Sequence, residues 1–355
     1  MKRITINAST QYDIVIGNGI LQEAGNYCKN ALGGVCRVCV VTDDTVASLY
    51  LEKVKTSLEG VGFSVESFIF PHGEASKSTE TLVALWEFLA EHRLTRSDAL
   101  VALGGGVVGD LCGFCAATYL RGIRFVQMPT TLLAAVDSSV GGKTGVDLRA
   151  GKNLAGAFHQ PSLVLCDVAT LDTLSPEIFA DGCAEVVKYG VIRDRDLFDR
   201  LGSNFRENKE KLEEIIARCV RHKAEIVESD EFDRGTRQLL NLGHTVGHAI
   251  EACSEMRISH GSAVAIGMVI VTRAAISLGL CPAEDLTSLI SLLEKLGLPT
   301  ECPYSADELA SVASADKKRA GSKITFVLPF GIGDSRLYLI SVDELSSLIE
   351  KGLKK

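Results

Sequence analysis

The sequence predicts an α/β N-terminal dinucleotide-binding domain with a mainly parallel sheet, plus a mostly α-helical C-terminal metal and substrate domain. Three observations carry that expectation: apolar runs of strand length alternate with amphipathic segments up to about residue 174, amphipathic helices then follow one another without strands, and a glycine-rich turn closes one of the strands. The boundary is placed between residues 1–173 and 174–355.

The chain opens with MKRITINASTQYDIVIG, which breaks into polar residues before any apolar core of signal length and reads as a strand pair. Strands are expected at RVCVVTDD near 37, SVESFIF near 64, DALVALGG near 98, RFVQMPTT near 124 and PSLVLCDV near 161, with TLVALWEFLAEHRL as a helix among them. Helices are expected at roughly 176–201, 208–230, 236–255, 260–280 and 283–297. KITFVLPFGIG and SRLYLIS then read as a hairpin before a final helix. No internal repeat or low-complexity tract interrupts this order.

With 355 residues and a net charge of −8, the chain lacks the basic footprint that nucleic acids and anionic membrane surfaces require. Any cluster of cations must therefore be local. The longest uncharged apolar stretch, Gly261 to Thr272, is too short to span a bilayer, and a cytoplasmic location is expected. The eleven cysteines are odd in number and scattered, which suits reduced thiols. Two C-x-x-C pairs, Cys36 with Cys39 and Cys112 with Cys115, lie too far apart for a zinc ribbon and read as small core residues.

GGGVVGD, Gly104 to Asp110, follows the strand DALVAL and should open a helix, so its backbone N–H groups can approach a pyrophosphate. It satisfies G-x-G-x-x-G, but no acidic residue follows about 20 positions on, and a packing turn and a phosphate site both stay open. Asp43, ending the first long strand, is the better candidate for a ribose contact. GGKTG, Gly141 to Gly145, resembles the end of a nucleotide-triphosphate loop, yet Asp137 occupies the place of that motif's first glycine. That excludes a P-loop and leaves Lys143 and Lys152 on a glycine-rich loop, as anion-binding or simply solvated cations.

Glu185, His244 and His260 offer a divalent ion two imidazoles and a carboxylate, a set that leaves coordination positions open as catalytic sites do. Taken singly, each would be unremarkable. His248 follows His244 at i+4 and would share its helix face, but Thr245 stands where a zinc protease keeps its general base, which excludes that chemistry.

The motifs HGEASKS, GGGVVGDLCGF, MPTTLLAAVDSSVGGKTGVD, GKNLAGAFHQP, DGCAEVVKYG, LLNLGHTVGHAIE and HGSAVAIGM cover nearly the whole chain. In that order and spacing the chain resembles the 3-dehydroquinate synthase family of sugar phosphate cyclases. The resemblance implies zinc or cobalt held by Glu185, His244 and His260, and NAD contacted by Asp43, Glu74, Lys77, Gly105, Gly106, Val107, Asp110, Thr130, Thr131 and Asp137, with Lys143 and Lys152 close by. It implies that Arg121, Asp137, Lys143, Lys152, Asn153, Lys188, Lys223, Arg237, Asn241 and His248 meet the substrate, together with Lys317 or Lys318. The implied substrate, 3-deoxy-D-arabino-heptulosonate 7-phosphate, carries a carboxylate and a phosphate, which accounts for a cation-rich pocket in an acidic protein. Lys223 and Arg237 suit the carboxylate; Arg121, Lys152, Asn153 and one of Lys317 or Lys318 suit the phosphate. A homodimer is also implied.

Two departures stand out: His72 where an Asp is frequent, and Asp233 where the segment before RQLLNLGH usually has Glu. A metal-dependent NAD polyol dehydrogenase would share the cofactor turn and the ion but leaves Lys143, Lys152, Lys188, Lys223 and Arg237 unexplained. A cyclase of another sugar phosphate would differ only in substrate, and a dinucleotide sensor with a structural metal would need a fourth ligand.

Overall fold

The computed structural model describes residues 1–202, 205–317 and 323–354. It divides into two compact units, residues 1–174 with 208–232 and residues 175–207 with 233–355.

Seven strands form one sheet in the first unit: β1 (Lys2–Asn7), β2 (Gln11–Gly17), β3 (Arg37–Asp43), β4 (Ser64–Phe70), β5 (Ala99–Gly104), β6 (Arg124–Pro129) and β9 (Leu163–Asp167). Their order across the sheet is β1-β2-β9-β6-β5-β3-β4. Pairing is parallel throughout except at the β1–β2 hairpin. The alternation of the pleat divides two apolar layers. Val38 and Val40 pack with Val54 and Leu58 on one face, while Cys39 and Val41 pack with Leu85, Leu111, Cys112 and Cys115 on the other. β5 is buried along its whole length, and Leu100, Val101 and Leu103 each contribute roughly 1.5–3 kcal/mol by leaving water. The helix Thr79–Glu91 starts where Ser78 accepts the Thr81 N–H at 3.2 Å and turns Leu82, Leu85 and Leu89 inward.

Chain order reverses at β3: the connection from β3 leads outward to β4, and the next strand, β5, lies on the other side of β3. The carboxyl ends of β3 and β5 therefore flank a topological switch point, where open α/β sheets bind ligands.

The structure corrects three local expectations. The segment read as a glycine-rich loop is an antiparallel hairpin, β7 (Lys143–Leu148) with β8 (Gly151–Phe158). Gly145 pairs with Gly156, and an added Cβ would come within 2.8 Å of the Ala155 carbonyl at the first and 2.2 Å of the Thr144 carbonyl at the second. Those glycines serve close strand pairing rather than looseness. Second, the segment 208–232, expected in the helical domain, groups with the first unit. Its helix Lys209–Ser229 is clipped there by Asn7 N–H to Glu228 at 2.7 Å and by Ser9 N–H to Glu231 at 2.8 Å. Third, Cys36 precedes β3 and is exposed, whereas Cys39, Cys112 and Cys115 are buried core thiols as read.

Among its described residues, the second unit is mainly helical, with a hairpin of β10 (Lys323–Gly331) and β11 (Asp334–Ser341). Ser175 caps the helix Pro176–Arg193, whose first-turn proline fits a position with no hydrogen bond to lose. That helix stops at Asp194, which caps a separate short helix, Arg195–Arg200, by accepting the Leu197 N–H at 2.9 Å. The helix Ala306–Lys317 had no clear signature in the sequence. The helix His260–Ser277 runs past Arg273 and is long and apolar enough to cross a membrane by composition, so length alone does not exclude a span. However, 72% of it is buried within the protein, which marks a core helix. It packs on the helix His244–Cys253 through glycines: a Cβ on Gly267 would lie 2.1 Å from the Gly243 carbonyl.

Candidate active site

Three helices of the second unit bring Glu185, His244 and His260 together, with a ligating atom from each within 4.8 Å of the others. The Nε2 atoms of His244 and His260 lie 3.4 and 3.3 Å from Glu185 Oε1. Lys188, one turn along from Glu185, places Nζ 2.5 Å from Oε2. Glu185 is 0% exposed, and neither carboxylate oxygen meets a donor in hydrogen-bond geometry. Burial opposes ionisation of this carboxyl, but the Lys188 ammonium and the His244 imidazole beside it hold it well below the usual carboxylate range.

Both imidazoles are fixed from behind. His244 Nδ1 is 3.1 Å from the Leu242 carbonyl, and His260 Nδ1 is 3.3 Å from Glu251 Oε2. Each Nε2 therefore faces Glu185, the convergence a divalent ion selects. A buried, ionised carboxylate and two converging imidazole nitrogens fit zinc or cobalt chemistry well.

Burial disfavours a charge on His260, yet Glu185 and Glu251 together raise its pKa from 6.5 to about 10. Because the folded value is the higher one, this protonation stabilises the metal-free fold fully below 6.5, and the contribution disappears as pH rises through about 10. An entering ion must displace that proton. Zinc binding between those two pH values should release about one proton per ion, read as buffer-dependent enthalpy in titration calorimetry, and an enthalpy identical in all buffers would contradict it.

His248 is exposed, its ring centroid 5.5 Å from that of His244 and 6.0 Å from that of His260. Arg237 is fully buried in the 3-10 segment Thr236–Asn241, and Asn241 is exposed at its end. Lys318 lies outside the described residues, as does the side chain of Lys317. Asp233 takes a left-handed backbone, φ 56°.

In the first unit, β5 ends at Gly104 and the helix Gly106–Thr118 begins after Gly105, which offers no side-chain cap to the helix's first N–H groups. Gly105 and Gly106 adjoin Thr131 and Ser138, so any larger side chain there would crowd the turn. Thr130, which follows β6, has a buried hydroxyl with no partner. Asp43 ends β3 and accepts the Val46 N–H at 2.8 Å. Free N–H groups at a helix start and an orphaned hydroxyl at the carboxyl ends of parallel strands fit a dinucleotide's pyrophosphate. Lys77 reaches Asp110 Oδ2 at 2.6 Å and Asn153 Oδ1 at 2.5 Å, and Lys152 reaches Glu74 at 3.2 Å. Burial lifts the Asp110 carboxyl above its ordinary value despite Lys77.

Lys223 donates to the side chain of Asp137 at 2.5 Å and to its carbonyl at 2.7 Å. Lys143 and Arg121 are exposed, and Arg121 sits in a turn of three positive φ values, 50°, 67° and 118° at Leu120, Arg121 and Gly122. His72 points outward, 69% exposed, bonded to Asp44.

Sequence reasoning passed over Glu251 and Asp147. Glu251 follows His248 at i+3, which puts both on one helix face, but that spacing does not point to His260. Asp147 accepts the Asn153 N–H at 2.8 Å across the β7–β8 turn, which only the unrecognised hairpin explains.

Residues 67–181 match the family described as 3-dehydroquinate synthase N-terminal, and residues 182–319 match 3-dehydroquinate synthase C-terminal. A 3-dehydroquinate synthase of Streptococcus suis is 45% identical over 354 residues, covering 98% of this chain and 99% of the relative. A solved 2-deoxy-scyllo-inosose synthase complexed with carbaglucose-6-phosphate, NAD+ and Co2+ superposes with TM-score 0.88 at 27% identity, covering 99% of this chain and 100% of that one. A 2-epi-5-epi-valiolone synthase from Streptomyces hygroscopicus with NAD+ and Zn2+ bound gives the same TM-score, 0.88, at 26% identity and 99% coverage of both chains.

Proposed function

This chain belongs to the 3-dehydroquinate synthase family, and from that membership we propose that it converts 3-deoxy-D-arabino-heptulosonate 7-phosphate to 3-dehydroquinate and phosphate. The reaction is that of a carbon–oxygen lyase: transient oxidation, β-elimination of phosphate, re-reduction, ring opening and intramolecular aldol closure. The observation that carries the reading is the convergence of Glu185, His244 and His260 on one point, in a chain 45% identical to a 3-dehydroquinate synthase along nearly its whole length.

Glu185, His244 and His260 would hold zinc or cobalt, and the Gly104–Asp110 turn with Asp43, Thr130 and Thr131 would hold NAD. When bound, the ion lowers the pKa of the hydroxyl to be oxidised, and NAD supplies the oxidation that acidifies the C–H beside the departing phosphate. Lys188 keeps Glu185 ionised and so keeps it a ligand. Asp137 tethers Lys223 through two contacts, which pre-orients the ammonium for an anionic group of the substrate. Asn153 and Lys152 are held by Lys77 and Glu74 on the β7–β8 hairpin and serve the phosphate. Elimination needs only weak base catalysis, for which exposed His248 beside the metal ligands is the candidate. The active form is a homodimer in the cytoplasm, as the resemblance implies.

Substrate with catalytic NAD should release inorganic phosphate while no NADH accumulates, and chelator should stop that release. Stoichiometric NADH without phosphate would instead mark a polyol dehydrogenase.

A further inference from the structure

His260 has a carboxylate on each side. Its Nε2 lies 3.3 Å from Glu185 Oε1, and its Nδ1 lies 3.3 Å from Glu251 Oε2. Glu251 is as hidden as Glu185, 2% against 0% exposed, and a carboxylate is that deeply buried only where specific partners compensate it. His244, by contrast, is backed by a neutral carbonyl, that of Leu242. Only one of the two imidazoles is thus braced by a charge.

His260, like His244, is the first residue of its helix. An imidazole at a helix start retains rotational freedom unless its second nitrogen is tied down. We infer that Glu251 is a positioning residue of the metal centre: it accepts the Nδ1–H of His260 and so turns Nε2 toward Glu185 and His244. The inference rests on the metal-site reading above. It also assigns the alternative cluster of His248, Glu251 and His260, whose ligating atoms lie within 4.8 Å of one another, a supporting role rather than that of a second ion site.

The test is a Co2+ titration of the folded, substrate-free protein, following the visible absorption of the ion, for the wild type, Glu251→Ala, Glu251→Gln and Glu185→Ala. Glu251→Ala should weaken Co2+ binding about 10- to 100-fold and change the band shape as the ring loosens. Glu251→Gln, whose amide oxygen still accepts the Nδ1–H, should recover most of that affinity with the wild-type spectrum. Glu185→Ala should abolish binding, and if it instead binds like the wild type the metal-site reading itself fails, whatever Glu251 does. Should both Glu251 variants keep wild-type affinity, with only their denaturation midpoints lowered, the residue is merely structural and the inference falls. Should Glu251→Gln lose the ion as completely as Glu251→Ala, the carboxylate is a ligand, and positioning is overturned.

Discussion

Glu185→Gln should leave the protein without stoichiometric metal and slow phosphate release on the order of 10³-fold, a loss of about 4 kcal/mol of transition-state stabilisation. The amide is nearly isosteric, so the effect is one of charge. Glu185 Oε1 faces both imidazoles at 3.3 and 3.4 Å, and Oε2 faces Lys188 Nζ at 2.5 Å in a fully buried setting. Neutralising it removes an anionic ligand and takes the carboxylate from the buried Lys188 ammonium, and breaking a buried ion pair typically costs about 3–5 kcal/mol. The two consequences separate in a double variant: adding Lys188→Met should recover stability but not metal. Metal content per chain, turnover and a denaturation curve decide the matter. A Glu185→Gln protein with a full complement of ion and turnover within tenfold of wild type would remove Glu185 from the ligand set.

Much of this site was legible because its chemistry uses residues in tight local patterns. Glu185 and Lys188 stand at i and i+3, and His244 and His248 at i and i+4, so the face they share follows from helical periodicity alone. The glycine-rich turn after β5 was visible as a strand followed by Gly104–Gly106, and the structure places a helix start there. What sequence could not give was partnership across long separations. The helix Lys209–Ser229 reads like its helical neighbours, and it joins the first unit through partners distant in sequence, such as Asn7 with Glu228, Ser9 with Glu231 just beyond it, and Asp137 with Lys223. The β7–β8 hairpin was missed for the opposite reason. Its glycines imitate a loop, because strand propensity is read from side chains and this pairing works by their absence at Gly145 and Gly156. Glu251 was hidden by chemistry rather than geometry: a glutamate on an amphipathic helix is ordinarily solvated, and nothing local reveals that His260 will come to lie against it.

Gly261→Ala should destabilise the fold by about 3 kcal/mol and weaken metal binding together, although helix propensity by itself predicts the reverse. Alanine in a helix interior is favoured over glycine by roughly 1 kcal/mol. Sterics decide the sign. A Cβ at Gly261 would lie 2.1 Å from the Asp181 carbonyl oxygen, 2.6 Å from its carbon and 2.7 Å from its Cα, all backbone atoms that cannot swing aside. The two helices must separate by on the order of 1 Å, at the upper end of what overpacking costs and enough to spoil a preorganised site. The contact is also a rivet: the Asp181 carboxylate accepts from Ser259 Oγ at 2.5 Å and from the Ser262 N–H at 3.0 Å. His260 directly precedes Gly261, and Glu185 lies one turn beyond Asp181, so this approach sets the spacing between two metal ligands. Gly33→Ala is the control, because nothing lies within 4 Å of its added Cβ, and it should change stability by no more than about 0.5 kcal/mol. Denaturant midpoints and Co2+ affinity report both effects. If Gly261→Ala matches Gly33→Ala in each, the helices are not held in register by this contact, and the geometry of the ligand set has another origin.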